Sequence, residues 1–232
     1  MRRKRKLSLR YKMRAVIIVP TYNEAENILL LLKQLINIKV KGFVIKILVV
    51  DDNSPDQTGK IVEEFNNNKV FLLNNLDKAG LGNAYLKGMD YAVQKLKADI
   101  LIEMDADFSH NPNDIPMLLS KITQGYDLVI GSRYVKGGGI PNNWSIHRKL
   151  ISYFGNIFIG FMLSNNKIKD WSSGFRAIKK TVFEKVKPDI KEDMFQGYTF
   201  QVGFLYYAHK MRFRISESPI IFSERKRGIS KF

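Results

Sequence analysis

A chain of 232 residues with 45% hydrophobic and 26% charged residues can bury a sizeable core, and its composition is ordinary for a globular protein. The absence of cysteine excludes disulfides, thiolate chemistry and Cys-based zinc sites, and no run approaches 18 apolar residues, so no membrane-spanning helix is expected. The net charge of +16 is the anomaly: residues 1–14 hold eight Lys or Arg and no acid, which suits an anionic lipid surface, a nucleic acid or a solvated tail.

The folded body is expected to begin at Ala15. Residues 15–20 are a continuous apolar strand, and Thr21-Tyr22-Asn23-Glu24 is a turn into a helix over 25–38, with Ile28, Leu31, Leu32, Leu35 and Ile36 on one face. A second buried strand, 44–50, runs into Asp51-Asp52-Asn53-Ser54-Pro55-Asp56, a turn rich in capping residues before a helix over 57–67. Residues 70–73 are a third strand, and Gly80-Leu81-Gly82 opens a helix to about residue 97. The fourth strand, 100–102, ends in Asp105-Ala106-Asp107. A helix over 112–123 then opens on Pro112, and a fifth strand spans 127–131. Strands alternating with helices at this spacing predict a mostly parallel sheet flanked by helices.

In such sheets ligands bind beyond the carboxyl ends of the strands, and every polar cluster named above lies there. Two carboxylates spaced i, i+2 at a strand end can converge into a hard oxygen site for Mg2+ or Mn2+. Familiar nucleotide fingerprints fail. Tyr85 stands where a dinucleotide fold needs its third glycine, and Ile61 stands where a P-loop needs Ser or Thr. His110, His147 and His209 show no metal-ligand spacing; His110 reads as a turn residue near the site, the others as surface.

After the fifth strand the character changes. Residues 131–139 are glycine-rich, with the backbone freedom of a mobile lid. Residues 146–163 form a helix rich in large apolar residues, either a second core helix or one lying in a membrane interface. A turn into a short strand is expected over 170–176, an amphipathic helix over 196–210, and short strands over 212–215 and 219–222.

Seven motifs occur in order: Pro20-Thr-Tyr22-Asn-Glu24, Asp51-Asp52-Asn-Ser-Pro-Asp56, Gly80-Leu-Gly82-Asn-Ala-Tyr85, Asp105-Ala106-Asp107-Phe-Ser109-His110, Gly131-Ser-Arg133-Tyr134, Ser173-Gly174-Phe175-Arg176 and Gly197-Tyr-Thr-Phe-Gln201. Together they resemble the dolichyl-phosphate mannosyltransferase branch of the inverting family 2 glycosyltransferases, over residues 15–231. The resemblance implies a GT-A fold in a single catalytic domain, 15–232, behind the basic arm 1–14. Residues 15–131 would be its nucleotide-sugar half, and 132–232 an extension facing acceptor and membrane. It also implies transfer of mannose from GDP-mannose to polyprenyl (dolichyl) phosphate with a divalent metal, at the cytoplasmic face of a membrane. The implied partners are the membrane surface and a small membrane-anchoring subunit.

Carried over residue by residue, the resemblance puts Pro20, Tyr22, Glu24, Asp51 and Asp52 in the nucleoside pocket. Asp105-Ala106-Asp107 falls on the metal and diphosphate motif, with Ser109 as a further ligand position. Arg225 and Lys231 match a basic pair that reaches the donor phosphates; Arg133 and Arg148 match arginines for the acceptor phosphate. Catalysis then falls to Asp107, Arg133 and Arg148. The chain departs from the family pattern at Gly203, where relatives usually carry an acid. A polyprenyl-phosphate glucosyltransferase using UDP-glucose shares the same motifs. A nucleic-acid partner is not expected, since no helix-turn-helix or RNP-type motif accompanies the charge.

Overall fold

The computed structural model describes residues 12–75, 80–163, 165, 167–190 and 198–225. Seven strands form one sheet: β1 (Met13–Thr21), β2 (Phe43–Asp51), β3 (Val70–Asn74), β4 (Ile100–Glu103), β5 (Leu128–Ser132), β6 (Arg176–Lys179) and β7 (Ile215–Pro219). Their order is β3-β2-β1-β4-β6-β5-β7, and only β6 runs against the rest. The helices are α1 (Ala25–Leu35), α2 (Thr58–Glu64), α3 (Gly80–Gln94), α4 (Ile115–Thr123), α5 (Ile146–Met162), α6 (Lys180–Val186) and α7 (Tyr198–Lys210).

The central strands β1, β2, β4 and β5 are apolar over most of their length because both faces are covered. Val16, Ile18, Leu48, Val50, Leu101 and Ile130 pack under α3, α6 and α7, while Ile17, Val19, Ile47, Val49, Ile102 and Val129 pack under α1, α2 and α4. The fit of α3 is unusually close. A Cβ added at Gly88 would stand 2.7 Å from Ile18 Cγ2 and 2.9 Å from Val50 Cγ2, so no larger residue lets this helix lie on β1 and β2.

Several expectations change. Met13 and Arg14 belong to β1 rather than to the basic arm, and residues 1–11 lie outside the described residues. The helices α1, α2 and α3 stop earlier than the periodicity predicts; beyond α2 and α3 the chain turns through left-handed residues, Asn66 and Lys97. Instead of strands over 212–215 and 219–222 there is one strand, β7, paired in parallel with β5 until Pro219, which has no N–H to continue the ladder. A lone bridge joins Ile221 to Gly139. The helix α6 had no expectation at all.

The glycine-rich segment is packed rather than loose. A Cβ at Gly138 would lie 2.6 Å from the Ser132 carbonyl oxygen, and Gly139 exchanges backbone hydrogen bonds with Ile220 and Phe222. Its glycines permit close approach of backbone to backbone.

The helix α5 meets the core only along a narrow edge, through Ile159. Its buried residues are Asn156 and Gly160, whereas Ile146, Ile151, Phe154, Phe158, Phe161 and Met162 each expose between 59% and 75% of their surface. Asn156 anchors it: Oδ1 accepts from the amides of Trp171 (2.7 Å) and Ser172 (3.3 Å), and Nδ2 donates to the Ser152 carbonyl. A polar line thus docks the helix and its apolar face points outward, the reverse of a surface helix in a globular protein. A second core helix would bury this face, and most of its large apolar side chains are exposed instead. No helix among the described residues is long and apolar enough to cross a membrane.

Candidate active site

The carboxyl ends of β1, β2 and β4 lie side by side, and the loops beyond them are stitched together by side chains. Asp51 accepts from Thr21 Oγ1 (2.8 Å) and Ser54 Oγ (2.6 Å) through Oδ1 and from the Ser54 amide (2.9 Å) through Oδ2. Asp51 is therefore spent on holding the loops. Asn23 sits at a left-handed φ of 57°, its amide donating to Ser54 Oγ, and the Glu24 amide donates to Thr58 Oγ1. Pro20 and Tyr22 are half-buried on the same edge. Asp52 Oδ1 accepts from Asn75 Nδ2 (2.7 Å), and Asn75 Oδ1 accepts from Lys87 Nζ (2.6 Å). Lysine can only donate, so this relay fixes the amide of Asn75 and presents Asp52 as an acceptor.

Beyond β4 the chain carries Asp105 and Asp107, close enough for each charge to act on the other, and then turns at Phe108, φ 63°. Asp107 Oδ1 accepts from the Ser109 amide (3.0 Å), and Oδ2 lies 3.3 Å from Arg225 Nε. Burial pushes the Asp107 carboxyl up, but hydrogen bonds from Ser109 and the Arg225 charge outweigh it and hold it below the ordinary carboxylate range. Ser109 is itself buried and serves first as a support for Asp107. Asp105 is pushed the other way by burial and by the neighbouring Asp107. Its amide donates to His110 Nδ1 (3.1 Å), and its Oδ1 accepts from Tyr85 OH (3.2 Å).

His110 is buried rather than a simple turn residue, stacked on Phe175 at 5.0 Å with Phe222 against its edge, whereas His147 and His209 are exposed. Burial lowers its pKa, and Nδ1 accepts an amide proton, so His110 is neutral and its 3.8 Å approach to Asp105 Oδ2 is not an ion pair. Ala106 is buried between the two aspartates.

Arg225 also lies 3.1 Å from Glu24 Oε1, so one guanidinium bridges the loop after β1 and the aspartates after β4. Lys231 and Gly197 lie outside the described residues, and buried Gly203 offers no side chain on α7. Behind the site Glu103 and Arg176 face each other across β4 and β6, both fully buried and 3.9 Å apart. Burial raises Glu103 to about 7 against the pull of Arg176.

Arg133 is not an open surface arginine. Its Nε and Nη2 donate to the two oxygens of buried Asp170 (2.8 and 2.7 Å), Nη2 also donates to Ser172 Oγ (2.8 Å), and its amide donates to Asp170 Oδ2 (2.9 Å). Arg148 is exposed in the first turn of α5, its guanidinium carbon 4.0 Å from the centre of the Trp144 ring. Trp144 packs edge-on against Phe222, and Phe222 carries Arg133 on its ring at 5.5 Å. An aromatic wall therefore links the two arginines and continues through His110 to the aspartates.

Among the described residues no group of three or more His, Cys, Asp or Glu could hold a metal alone. Asp105 and Asp107 offer hard carboxylate oxygens that repel each other, a donor set that fits Mg2+ or Mn2+ with further ligands from a phosphorylated substrate. Residues that sequence reasoning passed over include Tyr85, Asn75, Lys87, Asp170, Trp144 and Phe222. Tyr85 and Asp170 stand in or beside motifs singled out above; the others carry no local signal.

Residues 16–187 match the family model described as glycosyl transferase family 2. The chain is similar to polyprenol monophosphomannose synthase of Mycolicibacterium smegmatis, 38% identical over 227 residues, 97% of this chain and 83% of that protein. It is similar also to undecaprenyl-phosphate mannosyltransferase of Micrococcus luteus, 39% identical over 221 residues, 94% of this chain and 87% of that protein. Among solved structures, glucosyl-3-phosphoglycerate synthase from Mycobacterium tuberculosis with Mn2+, UDP-glucose and phosphoglyceric acid superposes with a TM-score of 0.68 over 94% of this chain and 73% of that one. At 16% identity that likeness bears on the fold alone.

Proposed function

The chain belongs to glycosyl transferase family 2, and from that premise we propose that it transfers mannose from GDP-mannose to a polyprenyl phosphate, with inversion, giving a polyprenyl β-mannosyl phosphate. The observation that carries the acceptor is the wall from Arg133 through Phe222 and Trp144 to Arg148, which opens on the exposed apolar face of α5. Cationic groups set on aromatic surface beside an unburied apolar helix suit a substrate that is a phosphate at one end and a hydrocarbon along the rest.

On the donor side, Asp52 is an acceptor held by Asn75 and Lys87. Guanine presents two adjacent N–H donors to a carboxylate, whereas uracil presents one N–H between two carbonyls that a carboxylate repels; this favours a guanine nucleotide. Arg225, now on Glu24 and Asp107, is placed to turn to the donor diphosphate. A divalent cation held by Asp105 and Asp107 would neutralise charge on the departing nucleoside diphosphate. The acceptor needs no general base, because a phosphate monoester, with a second pKa near ~6, is already anionic at neutral pH. Its oxygen bonds to the anomeric carbon as the bond from that carbon to the diphosphate breaks. The deciding experiment is transfer of radiolabelled sugar to a short polyprenyl phosphate from GDP-mannose, UDP-glucose and UDP-GlcNAc in parallel. Label is expected from GDP-mannose alone; label from UDP-glucose would move the assignment to the glucosyltransferase.

We also place the chain peripherally on the cytoplasmic face of a membrane, held by α5 and the basic arm. One apolar helix face plus a polybasic segment supplies two weak signals that act together. Flotation on anionic vesicles is expected to fall with salt. The variant Ile151→Ser/Phe158→Ser should bind roughly tenfold or more weakly, since each large apolar side chain contributes about 1.5–3 kcal/mol when buried. Both residues are exposed, so its melting temperature should hold. Unchanged flotation of this variant would remove α5 from the anchor and leave the basic arm; a chain that floats no better on anionic than on neutral vesicles would transfer the anchoring role to a small membrane subunit.

A further inference from the structure

Tyr85 contributes a side chain that none of the roles above uses. It is fully buried on α3, its ring is stacked on Phe200 of α7 with 10° between the planes, and its hydroxyl stands 3.2 Å from Asp105 Oδ1. A phenol facing a carboxylate donates, so Oδ1 is the accepting oxygen. On the opposite side, His110 Nδ1 accepts the Asp105 amide proton and has none to offer Oδ2, 3.8 Å away. The two oxygens of Asp105 are thus unlike: Oδ1 is tied to a phenol, and Oδ2 receives no proton from His110.

We infer that Tyr85 is a positioning residue for Asp105, holding Oδ1 so that Oδ2 is presented to the cation. The inference rests on the cation reading above. The support is stiff. One turn beyond Tyr85, Gly88 lets α3 lie directly on β1 and β2, and Phe200 closes the ring from the other side. A carboxylate with no such partner rotates between orientations and loses part of its affinity on capture; outer partners of this kind are typically worth about 10–100-fold in metal affinity. The plain alternative is that Tyr85 is only a core ring whose hydroxyl has found an acceptor.

The variant Tyr85→Phe separates the two, because it keeps the ring and removes only the hydroxyl. With GDP present, Mn2+ affinity read from the free-ion electron paramagnetic resonance signal should weaken about tenfold. The Mn2+ concentration for half-maximal transfer should rise by the same factor, and saturating Mn2+ should restore the rate while the acceptor KM stays unchanged. A packing defect would not be rescued by metal. If wild type binds Mn2+ and Tyr85→Phe binds it equally well, or if saturating Mn2+ leaves the variant slow, the Tyr85 inference is overturned. If wild type with GDP binds no Mn2+, the cation reading fails and takes this inference with it.

Discussion

Asp107→Asn should leave a folded protein whose transfer rate is lower by roughly two to three orders of magnitude. The change removes one of the two carboxylates proposed to hold the cation and leaves an amide that is a poor ligand for a hard ion. The charge neutralisation that a metal gives a departing diphosphate is worth several kcal/mol, and each ~1.4 kcal/mol is tenfold in rate. Folding should survive because Asp107 lies at the rim, and Arg225, its ion-pair partner, keeps Glu24. The pH dependence carries a sign. Hydrogen bonds and Arg225 hold the folded pKa of Asp107 below its ordinary value, so its contribution to stability is present above the ordinary carboxylate range. That contribution is lost as pH falls toward the lowered value, and Asp107→Asn should flatten this part of the acid limb. Melting temperature against pH and single-turnover transfer with and without chelator check both statements. Full activity of Asp107→Asn in chelator would remove Asp107 from the metal site.

Arg133→Ala should damage two things at once, and the structure allows them to be separated. Read as a substrate contact, the arginine should cost acceptor turnover when lost: about 1.5–3 kcal/mol for a charge-assisted phosphate bond, or roughly ten- to hundredfold in kcat/KM. But its guanidinium also neutralises Asp170, which is fully buried and accepts three hydrogen bonds from Arg133 alone. Removing one partner of a buried pair typically costs about 3–5 kcal/mol of stability, because the remaining charge is stranded. The double variant Arg133→Ala/Asp170→Asn should recover much of that stability and none of the acceptor turnover. Arg133→Lys cannot supply the fork that meets both Asp170 oxygens and Ser172, so it should rescue neither fully. Arg148→Ala, whose side chain is exposed on Trp144, should raise the acceptor KM with an unchanged melting temperature. Calorimetry with GDP provides the control. Equal losses for donor and acceptor, or none for either, would show that these arginines do not define the acceptor site.

Much of this molecule was legible before folding. The apolar runs that become β1, β2, β4 and β5 announce themselves because a strand covered on both faces must be apolar throughout. The order of the seven motifs was enough for the resemblance to the mannosyltransferases. The carboxyl ends of those strands located Asp51, Asp52, Asp105 and Asp107 on one edge, since a parallel sheet puts every such end on the same side.

Tertiary structure decided what depends on partners distant in sequence. The insertion of β6 between β4 and β5, against the direction of both, has no local signal, because a strand's pattern records its burial and not its neighbour. The composition of α5 reads equally as core or interface; docking through Asn156 and Gly160 turned its apolar face outward. Arg133 stood out from its motif as a candidate site residue, but its clamp by Asp170, 37 positions away, did not. Nor did the grip of Tyr85 on Asp105 across 20 positions. Helix and strand periodicity are set by near neighbours along the chain. Which oxygen a phenol holds, and which carboxylate an arginine neutralises, is set by where the packed sheet and helices bring those atoms together.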